Sequence, residues 1–276
     1  MIYVHEINKD TEIFISLSSN PSNFGTSIYN KLFKEFKINA IYKSFKTTKI
    51  NDLKKNINFF NIKGASISMP FKEKIIGQLD NLDKISKKLQ IVNTIKNING
   101  KLYGYNSDYL AIRKVLLDIK NIKDYTFIIS GMGAIAKTII FALKKMGVKK
   151  ILIKCRNKKK IKDFIKKFKC DEYSHGLNLK NSQIFLINCT PIGMTGKNLE
   201  KIPFTNKLIK EASIAMDLVN HPINTKFIKL ANIYKKKTIK GNLISLYQIK
   251  YQFEIYTNKK IRLSKLKNIF KKLGKI

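Results

Sequence analysis

A glycine-rich turn between a predicted strand and a predicted helix constrains the fold of this chain most. Residues 127–136 read F-I-I-S-G-M-G-A-I-A, so an apolar run ends at Gly131 and a helical stretch begins after Gly133. In the pattern G-x-G-x-x-G/A the first glycine permits a tight turn and the second lets a pyrophosphate approach the backbone. The following helix N-terminus also favours a phosphate group. This context favours a dinucleotide-binding turn over an ordinary glycine turn.

The next predicted strand indicates which dinucleotide would bind. NAD-binding units carry Asp or Glu about 20 residues further on, where it binds the ribose 2′-hydroxyl. Residues 153–160 read I-K-C-R-N-K-K-K, and the first acid downstream is Asp163, inside a predicted helix. Arg156 and Lys158–Lys160 can bind a 2′-phosphate by charge-assisted hydrogen bonds, so NADP is predicted. Codon bias alone would explain the lysines, but less readily Arg156, because arginine is rare here.

The net charge of +37, from 55 basic and 18 acidic residues, raises the alternative of a polyanion-binding protein. Only three of the basic residues are arginines, however, and base reading in the major groove favours arginine. Lys, Asn and Ile are the residues that A/T-rich codons specify. We therefore interpret the charge as compositional bias over solvated faces, and we do not expect nucleic acid as a partner. The surplus still attracts anionic small molecules.

Cysteines, histidines and hydropathy argue against several other classes. The cysteines and histidines are few and scattered, namely Cys155, Cys170, Cys189, His5, His175 and His221. Neither a disulfide framework nor a metal site is expected from such spacing, and a reducing, cytoplasmic location fits best. The first residues lack the basic leader and apolar run of a signal peptide. Glycines and Lys137 interrupt the apolar stretch 126–143, so no membrane span is expected.

Periodicity predicts two α/β units in tandem, because strands and helices alternate before and after Asp108. The predicted strands are Glu12–Leu17, Ala40–Phe45, Gly64–Ser68, Tyr125–Ile129, Lys150–Ile153, Gln183–Ile187, Ile214–Asp217 and Thr238–Ile239. The predicted helices are Ser27–Phe36, Ile50–Phe60, Tyr109–Ile119, a stretch from the glycine turn to Met146, and Ile161–Phe168. The tail from Leu243 to Lys275 is predicted to form one or two helices.

Four segments contain polar residues that core packing does not explain. They read G-A-S-I-S-M-P-F-K at 64–72, I-V-N-T at 91–94, G-Y-N-S-D at 104–108 and N-C-T-P-I-G-M at 188–194. With the glycine turn, their order and spacing resemble the shikimate dehydrogenase family, whose pattern runs G-x-N-V-T-x-P-x-K, V-N-T, N-T-D, G-x-G-G-A and N-x-T-P-x-G-M. The segment P-S-N-F-G-T at 21–26 looks like the divergent shikimate dehydrogenase-like branch of that family.

This resemblance implies a fold of two α/β domains. Residues 1–108 and 246–276 would form the substrate-binding and catalytic domain, and residues 109–245 a Rossmann-type NADP-binding domain. The C-terminal helices would pack back on the first domain. The implied reaction is the NADP-dependent, reversible reduction of 3-dehydroshikimate to shikimate, on the route to chorismate and the aromatic amino acids. A monomer or homodimer with a small-molecule substrate, without a membrane partner, is expected.

The resemblance also implies the site residues. Lys72 and Asp108 would be the catalytic pair, with Lys72 exchanging the hydroxyl proton and Asp108 orienting the lysine. The implied substrate-binding residues are Asn23, Thr26, Ser68, Asn93 and Gln248. The implied cofactor-binding residues are Gly131, Gly133, Ala134, Ile135, Arg156, Asn157, Lys160, Thr190 and Gly241. No metal is implied.

Several positions depart from the family pattern. Ser66 and Ser68 replace the Asn and Thr of N-V-T, and Asn220 replaces a frequent tyrosine. Leu243 and Ile244 stand where Gly and Met are usual. The catalytic pair is retained while the substrate rim is altered. Quinate or a related hydroxy acid therefore stays open as the substrate, and a non-catalytic polyanion-binding protein on the same scaffold is the alternative from another class.

Overall fold

The computed structural model describes residues 7–174, 177, 179 and 182–274, with the backbone alone of Lys158. His5 and His175 lie outside the described residues. The chain divides into two compact α/β units. The first unit contains the described residues up to Ser107 and from Gln248 onward, and the second unit contains Asp108–Tyr247. The predicted fold class of two α/β domains is confirmed.

The first unit is built on a mixed sheet with helices along its chain. Its strands are β1 (Glu12–Ser18), β2 (Ala40–Lys46), β3 (Gly64–Ile67), β4 (Asn81–Leu82), β5 (Thr94–Ile98) and β6 (Lys101–Tyr105). Its first helices are α1 (Asn23–Glu35), α2 (Leu53–Phe59) and α3 (Lys84–Leu89). Among the described residues the strand order is β2-β1-β3-β5-β6-β4. The strands β1, β2 and β3 run parallel, whereas β5 is antiparallel to β3 and β6.

Three details of the first unit differ from the sequence prediction. Helix α1 begins four residues early, because the Ser22 side chain accepts a hydrogen bond from the Phe24 N–H and caps the helix. Helix α2 is shorter than predicted, since Asp52 before it has a left-handed backbone with φ 59°. The hairpin of β5 and β6 was not predicted. Its turn is Asn99-Gly100, with φ 51° and 81°, the pair of positive values that a tight hairpin turn requires.

The second unit is a parallel sheet with helical crossovers. Its strands are β7 (Tyr125–Ser130), β8 (Ile151–Lys154), β9 (Asp171–Glu172), β10 (Gln183–Asn188), β11 (Ile214–Asp217) and β12 (Lys237–Ile239). Its helices are α4 (Ser107–Leu117), which starts at the last residue of the first unit, α5 (Ala134–Lys145), α6 (Lys158–Phe168), α7 (Asn206–Glu211) and α8 (Lys226–Ile233). Every pairing that joins the strands β7 to β12 is parallel.

The strand order of the second unit, β12-β11-β10-β7-β8-β9, identifies its fold. When β7 to β12 are renumbered 1 to 6 and the sheet is read from the β9 edge, this is the order 3-2-1-4-5-6 of the Rossmann fold, as predicted. The inner strands β7, β10 and β11 are buried along nearly their whole length, as a sheet covered on both faces requires. The order reverses between β7 and β10, and ligands of such sheets bind at the carboxyl ends of the strands at this reversal.

Two helices form the C-terminal tail, α9 (Gly241–Thr257) and α10 (Leu263–Lys272). From Gln248 onward they belong to the first unit, which confirms that the tail packs on that domain. The ring of Phe253 lies 4.9 Å from that of Phe36, and Phe270 meets Phe24 edge-on at 5.8 Å. Within the described part of the chain, no helix has the length and apolar character needed to cross a bilayer.

Candidate active site

The glycine turn lies at the carboxyl end of β7, where the strand order reverses. Gly131 has φ +110°, and a Cβ there would lie 3.0 Å from Thr190 Cγ2 and 3.1 Å from the Cys189 carbonyl oxygen, so only glycine fits. Gly133 has an extended backbone, and a Cβ there would meet no atom of the described residues within 4 Å. Packing therefore explains the first glycine but not the second. A ligand that approaches the backbone explains the second.

The residues after the turn supply main-chain donors for such a ligand. Ala134 and Ile135 open helix α5, where the first N–H groups have no partner within a helix and the positive end of the helix dipole lies. Gly133, the N-cap residue, adds no side chain over them. The turn therefore fits a pyrophosphate, as the sequence predicts.

The loop after β8 fits a 2′-phosphate better than a free ribose hydroxyl. Asn157 Oδ1 accepts a hydrogen bond from the Lys160 N–H at 3.1 Å and caps helix α6. The side chains of Arg156 and Lys160 are exposed beside this cap. No carboxylate occurs in the segment 155–160, so nothing in this loop replaces the acid of NAD-binding units.

A buried polar pair holds the predicted cofactor residue Thr190. Asn188 Oδ1 accepts a hydrogen bond from the Thr190 hydroxyl at 2.7 Å, and Asn188 Nδ2 donates to Asp217 Oδ1 at 2.9 Å. Burial raises the pKa of Asp217, while hydrogen bonds from Thr225, the Val219 N–H and Asn188 oppose the rise. The sequence reasoning missed both members of the pair. Their signal was their position, because each ends a buried strand at the same edge of the sheet.

Packing accounts for the last predicted cofactor residue, Gly241. A Cβ there would overlap the main chain of Leu218 and Val219, so glycine is required whatever binds nearby. Asn220, where the family often has tyrosine, accepts a hydrogen bond from the Ser245 hydroxyl at 2.8 Å. This hydrogen bond from helix α9 therefore fixes the side chain of Asn220, which departs from the family pattern.

In the first unit, Lys72 follows a tight turn after β3. The Phe71 N–H donates to the Ser68 carbonyl oxygen at 2.9 Å, and the Phe71 ring is buried. The Lys72 carbonyl oxygen accepts from the Val92 N–H at 2.9 Å. These bonds fix the main chain on both sides of the half-buried Lys72 side chain.

Two predicted substrate residues converge on Ser107. Asn93 Oδ1 accepts hydrogen bonds from the Ser107 N–H at 2.8 Å, the Ser107 hydroxyl at 3.1 Å and the Thr94 hydroxyl at 2.9 Å. Gln248 Nε2 donates to Ser107 Oγ at 3.1 Å. Asn93 Nδ2 makes no hydrogen bond with any described residue and is available to a ligand. Asp108 is the next residue, in the first turn of α4.

The remaining predicted substrate residues lie at the start of α1. Asn23 is exposed, and Thr26 Oγ1 lies 2.9 Å from Ser44 Oγ. Asn23 and Thr26, three residues apart, share one helical face.

A cluster of hydroxyl groups surrounds Ser66, which replaces the family's asparagine. Ser66 Oγ accepts a hydrogen bond from Tyr42 at 2.7 Å, donates to Gln252 Oε1 at 2.8 Å and lies 3.0 Å from the Tyr256 hydroxyl. Burial raises the pKa of Tyr42 to about 12 and also raises that of Tyr256, so these phenols stay protonated. Gln252 was not predicted, although its position four residues after Gln248 on one helix face was a signal.

The described residues contain no group of three or more His, Cys, Asp or Glu side chains placed to hold a metal ion. The three cysteines are free thiols.

Comparisons with known proteins indicate one family. Residues 21–95 match the family described as shikimate dehydrogenase substrate binding domain. The chain is 38% identical over 256 residues to a shikimate dehydrogenase-like protein of Haemophilus influenzae, covering 92% of this chain and 93% of that one. It is 34% identical over 250 residues to a shikimate dehydrogenase (NADP(+)) of Clostridium perfringens, covering 89% and 92%.

Solved structures give the same result. A shikimate 5-dehydrogenase-like protein matches with a TM-score of 0.85 and 36% identity over 96% of this chain and 99% of the other. A shikimate dehydrogenase in complex with NADP+ matches with a TM-score of 0.83 and 26% identity over 97% of both chains. Identity above 30% over nearly the full length of both partners confirms the resemblance drawn from the motifs. This chain belongs to the shikimate dehydrogenase family.

Proposed function

We propose that this chain is an NADP-dependent oxidoreductase that interconverts 3-dehydroshikimate and shikimate in the cytoplasm. The observation that carries the proposal is the convergence of Asn93 and Gln248 on Ser107, the residue before Asp108. The relatives named shikimate dehydrogenase (NADP(+)) support the reaction and the cofactor.

Lys72 and Asp108 are the proposed catalytic pair. A bound NADP+ would supply the hydride acceptor for the carbon that carries the reacting hydroxyl. Lys72 takes the hydroxyl proton as the carbonyl forms and returns it in the reverse direction. Asp108 orients the lysine and accepts a hydrogen bond from a ring hydroxyl. The main-chain bonds around Lys72 keep its side chain in position for this exchange.

The substrate is held by groups from separate segments of the chain. Asn93 Nδ2 and the amide of Gln248 bind ring hydroxyls, together with the hydroxyl of Ser68. Asn23 and Thr26 bind the carboxylate. Each of these groups is polar and uncharged, so they set orientation, while the lysine-rich surface draws the anionic substrate in.

The proposed cofactor contacts come from loops and helix starts of the second unit. Gly133, Ala134 and Ile135 would bind the pyrophosphate through main-chain N–H groups. Gly131, whose N–H donates to the Lys154 carbonyl oxygen at 3.0 Å, would provide the tight turn beside it. Arg156, Asn157 and Lys160 surround the 2′-phosphate. Thr190 and Gly241 line the nicotinamide end.

Initial rates test the proposal. Turnover of shikimate with NADP+, and little with NAD+, is the expected result. The Lys72→Ala variant is expected to lose at least about 100-fold in kcat, since it removes the group that exchanges the proton, while its Kd for NADP+ stays within about twofold. Lys43→Ala, at an exposed lysine of β2, is the matched control and should keep wild-type rates. Normal turnover by Lys72→Ala would remove Lys72 from the mechanism.

The altered rim supports a second candidate, a dehydrogenase of quinate or a related hydroxy acid. Ser66, Ser68 and Asn220 are the departures that motivate it. A value of kcat/KM for quinate well above that for shikimate would favour this candidate. A polyanion-binding role without catalysis would instead show NADP-independent binding that weakens steeply as salt rises.

A further inference from the structure

A buried glutamine lies one helical turn after the proposed substrate residue Gln248. Gln252 is only 2% exposed. Its Oε1 accepts hydrogen bonds from the Tyr29 hydroxyl at 2.6 Å and from Ser66 Oγ at 2.8 Å. Its Nε2 donates to Thr94 Oγ1 at 2.6 Å and to the Asn93 carbonyl oxygen at 3.2 Å. A carboxamide has two donors and two acceptor sites, so Gln252 has no capacity left for a ligand.

Hydrogen-bond donors from Thr94 and Ser107 surround Asn93 Oδ1. Gln252 Nε2 can only donate, so the Thr94 hydroxyl accepts from it and keeps its own proton for Asn93 Oδ1, 2.9 Å away, or for Ser107 Oγ, 3.0 Å away. Ser107 supplies two further donors to the same oxygen. These donors identify the Asn93 carboxamide oxygen and turn its Nδ2 away from the network.

Burial of so many polar groups serves geometry more than stability. A buried polar group costs free energy unless it is paired, and a fully paired network fixes one arrangement of its members. Gln252 binds the main chain of Asn93 and the side chain of Thr94 at once. It therefore helps to fix both the main-chain position of Asn93 and the orientation of its carboxamide.

We propose that Gln252 is a positioning residue, which fixes Thr94 and the Asn93 main chain so that Asn93 Nδ2 is presented to a hydroxyl of the substrate. The inference rests on the proposed function, in which Asn93 binds that hydroxyl. Gln252 acts without touching the substrate.

Kinetics of matched variants test this role. Gln252→Leu is expected to raise the KM for shikimate at least tenfold, with kcat within about threefold and the KM for NADP+ unchanged, since binding of one hydroxyl is lost. Thr94→Val should give the same split, and the double variant should be no worse than either single one, because both act on Asn93. Phe253→Leu, at the next buried residue of α9, controls for lost core packing and should leave KM unchanged.

Hydrogen exchange gives a readout that needs no activity. Ser107 begins α4, so its N–H has no partner within the helix and depends on Asn93 Oδ1 for protection. Exchange at the Ser107 amide, measured by NMR, should accelerate at least tenfold in Gln252→Leu and not in Phe253→Leu.

The outcomes separate the two proposals. Wild-type turnover of shikimate, with an unchanged KM in Gln252→Leu, would overturn the role of Gln252 and leave the function standing. Absence of wild-type turnover would overturn the function, and the Ser107 amide would still decide the role of Gln252 in orienting Asn93. Equal exchange at Ser107 in Gln252→Leu and Phe253→Leu would overturn that role in either case.

Discussion

The two glycines of the dinucleotide turn make opposite predictions for the same substitution. Gly133→Ala adds a methyl group that meets no atom of the described residues within 4 Å, on a backbone that any residue adopts. Alanine is a worse N-cap than glycine by about 0.5 kcal/mol. It also restricts the unfolded chain, which stabilises by about 0.4–1 kcal/mol. The free energy of unfolding should therefore change by no more than about 0.5 kcal/mol.

Gly131→Ala adds the same methyl group two residues earlier, where φ is +110° and the methyl would lie 3.0–3.1 Å from Thr190 and Cys189. A non-glycine residue in such a conformation costs about 1–3 kcal/mol. At about 2–4 °C per kcal/mol, the expected loss is about 2–12 °C in Tm, and about 4–8 °C for the middle value of about 2 kcal/mol. The apo-protein should thus tolerate Gly133→Ala and not Gly131→Ala.

Binding of NADP+ should be weakened by Gly133→Ala, although this variant should leave the stability of the apo-protein nearly unchanged. The Gly133 methyl group occupies the space that the pyrophosphate needs, so Gly133→Ala should weaken the Kd at least tenfold, or about 1.4 kcal/mol. Isothermal titration with NADP+ and melting curves with and without it measure both quantities. Wild-type affinity in Gly133→Ala would refute the approach of a pyrophosphate at this residue. Equal losses of Tm in the two variants would refute the packing argument.

Two further predictions concern buried titratable groups. Asp217→Ala should lower the free energy of unfolding by about 3 kcal/mol, because the Val219 N–H, the Thr225 hydroxyl and one of the two Asn188 Nδ2 protons lose their acceptor. Asp217→Asn should cost less than about 1 kcal/mol, and equal losses in urea unfolding would contradict this. The raised pKa of Tyr42, about 12 against 10 unfolded, gives stability that is complete below pH 10 and is lost toward pH 12, since the unfolded phenol releases its proton first. The loss should be about 3 kcal/mol in unfolding measured from pH 9 to 12, and Tyr42→Phe should remove that part of the slope.

The sequence predicts the second unit better than the first for a physical reason. Strands of a parallel sheet are buried on both faces, so β7 and β10 stand out as continuous apolar runs. The hairpin of β5 and β6 lacks such runs, because it mixes lysine, asparagine and tyrosine with apolar residues. Its turn, Asn99-Gly100, was a readable signal of a hairpin that the motif-based reasoning passed over.

The candidate site divides in the same way. Residues in local motifs, such as Lys72 and Asn93, can be proposed from the sequence alone because each motif carries its own spacing, and their roles stay predictions. The hydrogen-bond partners of Asn93 from outside its own motif could not be, since Ser107 and Gln252 come from segments that only the tertiary fold brings to Asn93. Side-chain pairing between distant segments leaves no period in a single sequence.

Hydrogen bonds to residues from distant segments explain why serine fits at position 66. A serine in the place of the family's asparagine reads, in the sequence alone, as a weakened substrate rim. In the structure its hydroxyl accepts from Tyr42, donates to Gln252 and lies beside the Tyr256 hydroxyl, all within 3.0 Å. A longer side chain at this position would have to displace one of these three groups, because interiors are close-packed. The serine and its partners therefore form one unit, and the network that they complete is the one that holds Asn93.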